Sequence, residues 1–135
     1  MTRTGIRLST GSRRETLAEI NEHGIALDTE ILEFGKRRDY AIPTVEVRVA
    51  EHEGKWYMAL SMMLPHEGSS RGCSVNESKY NPAFPSRDSA VEEGKRQAIA
   101  WLTQRMAREQ MPDSHRVIGQ QAIDEIEDSN QMELF

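Results

Sequence analysis

An alternation of apolar and polar residues in the middle of the chain constrains the fold more than any other feature. Val45, Val47 and Val49 are separated by charged residues. After the turn-like stretch 51–54, large apolar residues again occupy every second position, at Trp56, Met58, Leu60 and Met62. Successive side chains of a strand point to opposite faces of a sheet. Two alternating runs joined by a short glycine-containing turn therefore predict an antiparallel hairpin with one buried face.

The remainder of residues 43–76 completes the predicted sheet. A polar stretch from Pro65 to Ser70 is expected to break the hairpin. Residues 72–76 are then expected to form a third, shorter strand. The sequence therefore predicts a three-stranded antiparallel sheet.

Residues 13–39 have a pattern typical of a mostly helical segment. Either Thr10 or Ser12 can cap its start, with Glu15 at capping-box spacing from Ser12, and Asp28 offers a second cap. Gly35 is expected to end the second helical part. A short strand over residues 25–27 is the alternative to helix at that place.

A long helix is predicted from its capping residue Ser86 to about Arg108. Small residues at Ala90, Gly94 and Ala98 recur on one face and allow this helix to lie close to a sheet. The residues expected to point largely outward are Glu92, Glu93, Lys95, Arg96, Gln104 and Arg105. The predicted fold class is thus α+β, with an N-terminal helical segment, a three-stranded antiparallel sheet, a long C-terminal helix and a tail.

The last part of the chain is acidic and sparsely apolar. Residues 109–135 carry seven acidic residues and one basic residue, so their net charge is −6. The net charge of the whole chain is −5, so residues 1–108 have a net charge of +1. We expect a linker with a transient helical turn around residues 119–127. The predicted organisation is a flexible basic arm over residues 1–12, an α+β domain over 13–110 that folds without the tail, and a flexible acidic tail over 111–135.

Composition limits the cellular compartment. Cys73 is the only cysteine, so no internal disulfide can form, and in a predicted strand it is expected to be a small buried side chain. No apolar run approaches the length of a membrane span. Residues 1–14 lack the apolar core of a secretory signal. A cytoplasmic protein without membrane association fits these features.

The last five residues, Gln131-Met132-Glu133-Leu134-Phe135, place two large apolar side chains at the end of a polar segment. They resemble the clamp-binding pentapeptide of bacterial DNA polymerases, mismatch-repair proteins and other clients of the sliding clamp. The resemblance implies that Leu134 and Phe135 fill a hydrophobic pocket on the bacterial DNA sliding clamp, with Met132 beside it and Gln131 bonded at the rim. It implies a non-enzymatic adaptor or regulator in DNA replication or repair, or in a mobile element's interference with them.

No constellation of residues typical of catalysis stands out. His23, His52 and His66 each lie within two residues of a glycine and are expected in solvated turns rather than as metal ligands. The stretch 68–72 is rich in serine and glycine but lacks the Gly-Lys-Ser/Thr ending of a phosphate-binding loop. The sequence therefore predicts no enzyme activity, no catalytic residue, no metal and no cofactor.

Nucleic-acid binding is the alternative function. The predicted order of helix, three strands and helix resembles the double-stranded RNA-binding domain over about residues 13–108. The resemblance implies RNA contacts from basic residues at the start of the last helix, where Arg87, Lys95 and Arg96 stand among acids. Other candidate phosphate contacts are Arg37, Arg38, Arg71 and Lys79. A nearly neutral body adds no general electrostatic attraction for nucleic acid, and a protein-interaction module of phage or plasmid defence is a third interpretation.

Overall fold

Six strands and two helices make up the part of the chain that the structure describes. The computed structural model describes residues 20–26, 29–35 and 42–132. The elements in chain order are β1 (Ile25–Ala26), β2 (Glu30–Phe34), β3 (Val45–His52), β4 (Lys55–Leu64), β5 (Glu67–Ser69), β6 (Cys73–Ser74), α1 (Arg87–Met106) and α2 (Asp113–Met132). Strands β2, β3, β4 and β5 form one sheet in that order, and β1 pairs with β6 in another. The fold class is α+β, as the sequence predicts.

Strands β3 and β4 form the hairpin that the alternating residues predict. Val45, Val47 and Val49 are fully buried. Glu53 and Gly54 make the two-residue connection, with φ of 53° and 81°. Positive φ at both positions is typical of a type I′ turn, whose twist matches that of the flanking strands. Glycine adopts this conformation without a steric penalty.

The prediction of three strands is wrong, because the stretch after Pro65 continues the sheet. Strand β5 pairs antiparallel with β4, and Leu64 lies opposite Glu67. Pro65 has a φ fixed near −65° by its ring, and His66 has a φ of 69°. This combination is typical of a type II turn, which accepts proline at its first central position. The predicted third strand is β6, which pairs with β1 instead of the hairpin.

The helix predicted over residues 13–39 is wrong where the structure describes that segment. Ile20 makes an isolated bridge to Ala26, and β1 and β2 follow, so the alternative of a short strand is confirmed for Ile25–Ala26. Glu30 is buried in β2 and accepts hydrogen bonds of 2.8 and 2.6 Å from Arg87. Pairing with remote residues overrides the local helical pattern here. The parts of the predicted arm and helix that lie outside the described residues are 1–19, 27–28 and 36–39.

The chain divides into two compact units. Unit 1 contains the described residues within 1–32, 47–59 and 71–94, and unit 2 contains those within 33–46, 60–70 and 95–135. One core cluster lies within unit 1 and consists of Ala26, Ala50, Tyr57, Ala59, Cys73 and Val75. Cys73 is thus a small buried side chain, as predicted, and burial raises the pKa of its thiol to about 11.

Helix α1 begins and packs largely as predicted. Ser86 Oγ accepts a hydrogen bond of 3.0 Å from Ser89 N, and Ser86 N donates one of 3.2 Å to Ser89 Oγ. This is a reciprocal capping box in which serine takes the place of glutamate. Gly94 lies so close to β3 that a Cβ there would stand 2.7 Å from Val47 Cγ1. The prediction that Lys95 points outward is wrong, since this residue is 2% exposed.

Helix α2 occupies most of the predicted flexible tail. Ala122, Ile123 and Ile126 are buried on one side of it, and Gly119 is buried one turn earlier. The expectation of a linker is therefore wrong for the backbone of residues 113–132. The apolar stripe is sparse, but the small residues Gly119 and Ala122 let neighbouring residues approach the helix closely. Neither of the described helices combines the length and apolarity needed to cross a membrane.

Candidate partner-binding segment at the end of helix α2

Helix α2 is attached to unit 2 near its middle. Gly35, just after β2, has a φ of 74°, and a Cβ there would lie 3.0 Å from the Ala122 Cβ. Gly35 N donates a hydrogen bond of 2.8 Å to Glu125 Oε1. Gly35 is needed both for the left-handed backbone and for the close approach of the helix. Gly35, which was expected to end a helix, therefore provides the contact surface for helix α2.

The last turn of α2 is held by a buried cation. Lys95 Nζ donates a hydrogen bond of 3.0 Å to Asn130 Oδ1. Ser129 Oγ donates one of 2.6 Å to Ile126 O, which satisfies a carbonyl near the helix end. These contacts at Ser129 and Asn130 immediately precede the pentapeptide in the sequence.

The pentapeptide begins within the helix. The backbone of Gln131 and Met132 forms the last two residues of α2. Leu134 and Phe135 lie outside the described residues. The contacts predicted for these four side chains therefore stay predictions.

The charges near the end of α2 weaken its last turn. Within the helix as described, the last turn contains no basic residue, and Glu127 and Asp128 are exposed close to it. Acidic groups near a helix C-terminus oppose the helix dipole by about 0.3–1 kcal/mol each. The ammonium of Lys95, a residue of α1, offsets this unfavourable interaction and donates a hydrogen bond to Asn130. Gln131 and Met132 thus follow the last described point of attachment.

The two described candidates for phosphate contact lie in different segments of unit 1. Arg71 is exposed just before β6, and Lys79 is exposed in the loop after it. Lys79 Nζ lies 5.4 Å from the ring centroid of Tyr80, which is 80% exposed. Sequence reasoning did not select Tyr80, although an aromatic residue in a polar loop was a usable signal. Arg37 and Arg38 lie outside the described residues.

Two basic residues implied by the RNA-binding resemblance have partners within the chain. Arg87 donates to Glu30 through Nε and Nη2, and this hydrogen bonding raises the pKa of Arg87. Lys95 is buried and donates to Asn130. Both side chains therefore have a structural role in this fold.

A pair of histidines that sequence reasoning left unconnected meets in unit 2. The ring centroids of His66 and His115 are 6.0 Å apart, at a cavity of about 320 Å³. His66 lies in a turn, as predicted, whereas His115 belongs to α2, where a linker was expected. No spacing in the sequence indicates that they meet. Across the described residues, no group of three or more His, Cys, Asp or Glu side chains is arranged to hold a metal ion.

Comparison of the chain with protein-family models, with curated proteins and with solved structures finds no match in any of the three.

Proposed function

We propose that this chain is a non-enzymatic adaptor or regulator that binds the bacterial DNA sliding clamp through residues 131–135. The observation that carries the proposal is the pentapeptide Gln-Met-Glu-Leu-Phe, which directly follows the attached residue Asn130. Its order of glutamine, aliphatic residue, leucine and phenylalanine is that of clamp-binding peptides. The proposed setting is the cytoplasm, in DNA replication or repair or in a mobile element's interference with them.

Leu134 and Phe135 supply most of the binding free energy in this proposal. Full burial of each side chain in the clamp pocket contributes about 1.5–3 kcal/mol. Loss of translational freedom and ordering of the peptide oppose binding. The expected result is a dissociation constant on the order of micromolar. Gln131 adds specificity through a hydrogen bond at the pocket rim, and Met132 packs beside it.

The end of α2 can release the peptide at small cost. Unwinding one terminal helical residue costs roughly 0–0.3 kcal/mol, well below the gain from burying a leucine or phenylalanine. Gln131 and Met132 can therefore leave the helix when the peptide docks. Asn130 remains bound to Lys95, so the peptide is presented from a defined point on unit 2.

Isothermal titration of the protein into the sliding clamp of its own host tests the proposal. The wild type is expected to bind with a Kd on the order of micromolar, and Leu134→Ala/Phe135→Ala is expected to give no heat of binding. Gln131→Ala should weaken binding roughly two- to tenfold, since a neutral hydrogen bond contributes about 0.5–1.5 kcal/mol. Val117→Ala truncates a 65% exposed apolar residue elsewhere on α2 and is the matched control.

The outcomes of this titration distinguish binding through Leu134 and Phe135 from binding by another surface and from no binding. Val117→Ala should bind like the wild type, and circular dichroism should show that the double variant is folded. Equal affinity of the wild type and the double variant contradicts the proposal. So does an absence of heat from the wild type at a clamp concentration about tenfold above the expected Kd.

Tyr80 supports a second candidate function, the binding of single-stranded nucleic acid by unit 1. The turn that carries it is fixed by two backbone hydrogen bonds of 3.1 Å between Ser78 and Asn81. An exposed ring beside Lys79 offers a stacking surface and a phosphate contact. Tyr80→Ala should weaken binding of a labelled oligonucleotide by about 1–3 kcal/mol, and Arg71→Gln should lower the salt dependence. If fluorescence anisotropy detects no salt-dependent binding of the oligonucleotide, this candidate function is ruled out.

A further inference from the structure

A cavity of about 320 Å³ lies in unit 2, lined by the β4–β5 turn, the loop after α1 and the first turn of α2. Pro65, Met111 and Pro112 form apolar parts of its lining. Its volume falls at the lower end of the range for small-molecule sites, which combine apolar walls with a few convergent polar groups. The polar groups here are two imidazoles and a guanidinium.

The two imidazoles belong to His66 and His115, whose rings are tilted by 44° with centroids 6.0 Å apart. His66 has a φ of 69°, in a turn position where glycine or asparagine is usual. Backbone strain of this kind is concentrated at functional sites. A histidine at a position suited to glycine points to a use for its ring.

Two guanidiniums approach the carboxylate of Glu67, which lines the cavity together with Arg108. Glu67 Oε1 lies 3.2 Å from Arg105 Nε, and Glu67 Oε2 lies 3.2 Å from Arg108 Nη1, so one carboxylate faces two guanidiniums. Asp113, at the start of α2, is paired with Arg116 at 2.9 Å and adds no net charge. Because both guanidiniums engage the Glu67 carboxylate, the Arg108 cation at the cavity favours an anion over a metal cation between the histidines.

The ends of α1 and α2 next to the cavity also favour an anion. Arg116 Nε donates a hydrogen bond of 3.0 Å to Met106 O, and its Nη2 donates to Arg108 O. The carbonyls at the negative end of α1 are thereby covered. Pro112 O accepts a hydrogen bond of 3.0 Å from His115 N, so His115 lies in the first turn of α2, at the positive end of its dipole. Helix N-termini recurrently bind phosphate and sulfate.

We propose that this cavity binds a small oxyanion of the phosphate and sulfate class, held by His66, His115 and Arg108. The Arg108 guanidinium uses Nη1 for Glu67 and carries further N–H donors, which match the paired oxygens of an oxyanion. The apolar lining leaves space for the organic part of a phosphate monoester. The ring N–H groups of His66 and His115 supply further hydrogen-bond donors to the anion.

Titration with sodium sulfate, followed by the histidine ring resonances in NMR spectra, tests this site. Sulfate should shift the His66 and His115 resonances in a saturable manner. Arg108→Gln and His115→Gln should each weaken binding roughly tenfold or more. Tighter binding of methyl phosphate than of inorganic phosphate identifies a phosphate ester as the preferred form.

Two variants control for structural effects. His66→Gly removes an imidazole and suits the positive φ, so it should remain folded and still lose sulfate affinity. His23→Gln removes an exposed histidine of unit 1 and should bind sulfate like the wild type. Shifts that do not saturate, or that His23 shares, overturn the proposal, as does equal affinity of the wild type and Arg108→Gln.

Discussion

The Lys95 ammonium, on a residue that is only 2% exposed, donates a hydrogen bond of 3.0 Å to the side chain of Asn130. This contact joins the middle of α1 to the last turn of α2. A buried charge is costly unless it is paired or hydrogen-bonded, and a cation near a helix C-terminus stabilises that helix. The pair therefore fixes the residue that immediately precedes the proposed clamp-binding peptide in the sequence.

Asn130→Ala is expected to lower the free energy of unfolding by about 1–3 kcal/mol, because the buried ammonium loses an acceptor. In a Lys95→Met background the same substitution should cost less than about 0.5 kcal/mol, since no charge is then left without that acceptor. Urea denaturation of the four proteins measures the coupling. Equal costs in the two backgrounds contradict a direct link between the residues.

Sequence reasoning succeeds for elements whose signals are local. The β3–β4 hairpin follows from alternation and a turn that ends in Gly54. Helix α1 follows from the cap at Ser86 and from small residues such as Gly94. In each case residues close in sequence determine the conformation. The pentapeptide was visible for the same reason, because its five residues are consecutive.

The elements that sequence reasoning missed depend on remote partners. Glu30 lies in a strand because β2 enters the sheet and Arg87 binds its carboxylate. Lys95 is buried because Asn130, far along the chain, accepts its hydrogen bond. His66 and His115 meet only once α2 is formed. Neither composition nor periodicity contains such pairings.

Two helical glycines with different neighbours should respond oppositely to alanine. At Gly94 a Cβ would lie 2.7 Å from Val47 Cγ1, part of a fully buried, stiff side chain. Gly94→Ala is therefore expected to cost about 1–3 kcal/mol. At Gly119 the nearest atom is Met106 Sδ at 2.8 Å, which can move aside. Alanine's helix propensity is up to about 1 kcal/mol better than glycine's, so Gly119→Ala should be neutral or stabilising. Urea denaturation measures the change in the free energy of unfolding for each variant. A clear loss of stability in both variants contradicts the prediction.

The buried thiol of Cys73 should make stability fall at alkaline pH. Burial raises its pKa from 9.0 to about 11, so the folded state holds the thiol proton more tightly than the unfolded chain does. The stability from the neutral thiol is fully present below about pH 9 and is lost as the pH rises towards 11, by about 2–3 kcal/mol. Free energies of unfolding between pH 8 and pH 11 measure this loss. Cys73→Ala should lack this part of the decline, and equal slopes for the two proteins contradict the prediction.

Deletion of α2 should destabilise unit 2, although the sequence alone favoured a domain that folds without its tail. Ile123 and Ile126 are buried, and full burial of two such side chains contributes about 3–6 kcal/mol. That amount is comparable to the whole stability of a small domain. The fragment 1–112 is therefore expected to melt without the cooperative transition of the full chain and to be cleaved rapidly by protease. The fragment 1–130 lacks only the pentapeptide and keeps Asn130, so it should unfold within about 0.5 kcal/mol of the full chain while losing clamp binding. A fragment 1–112 that melts cooperatively near the temperature of the full chain contradicts the role given to α2 and favours a domain that ends before it.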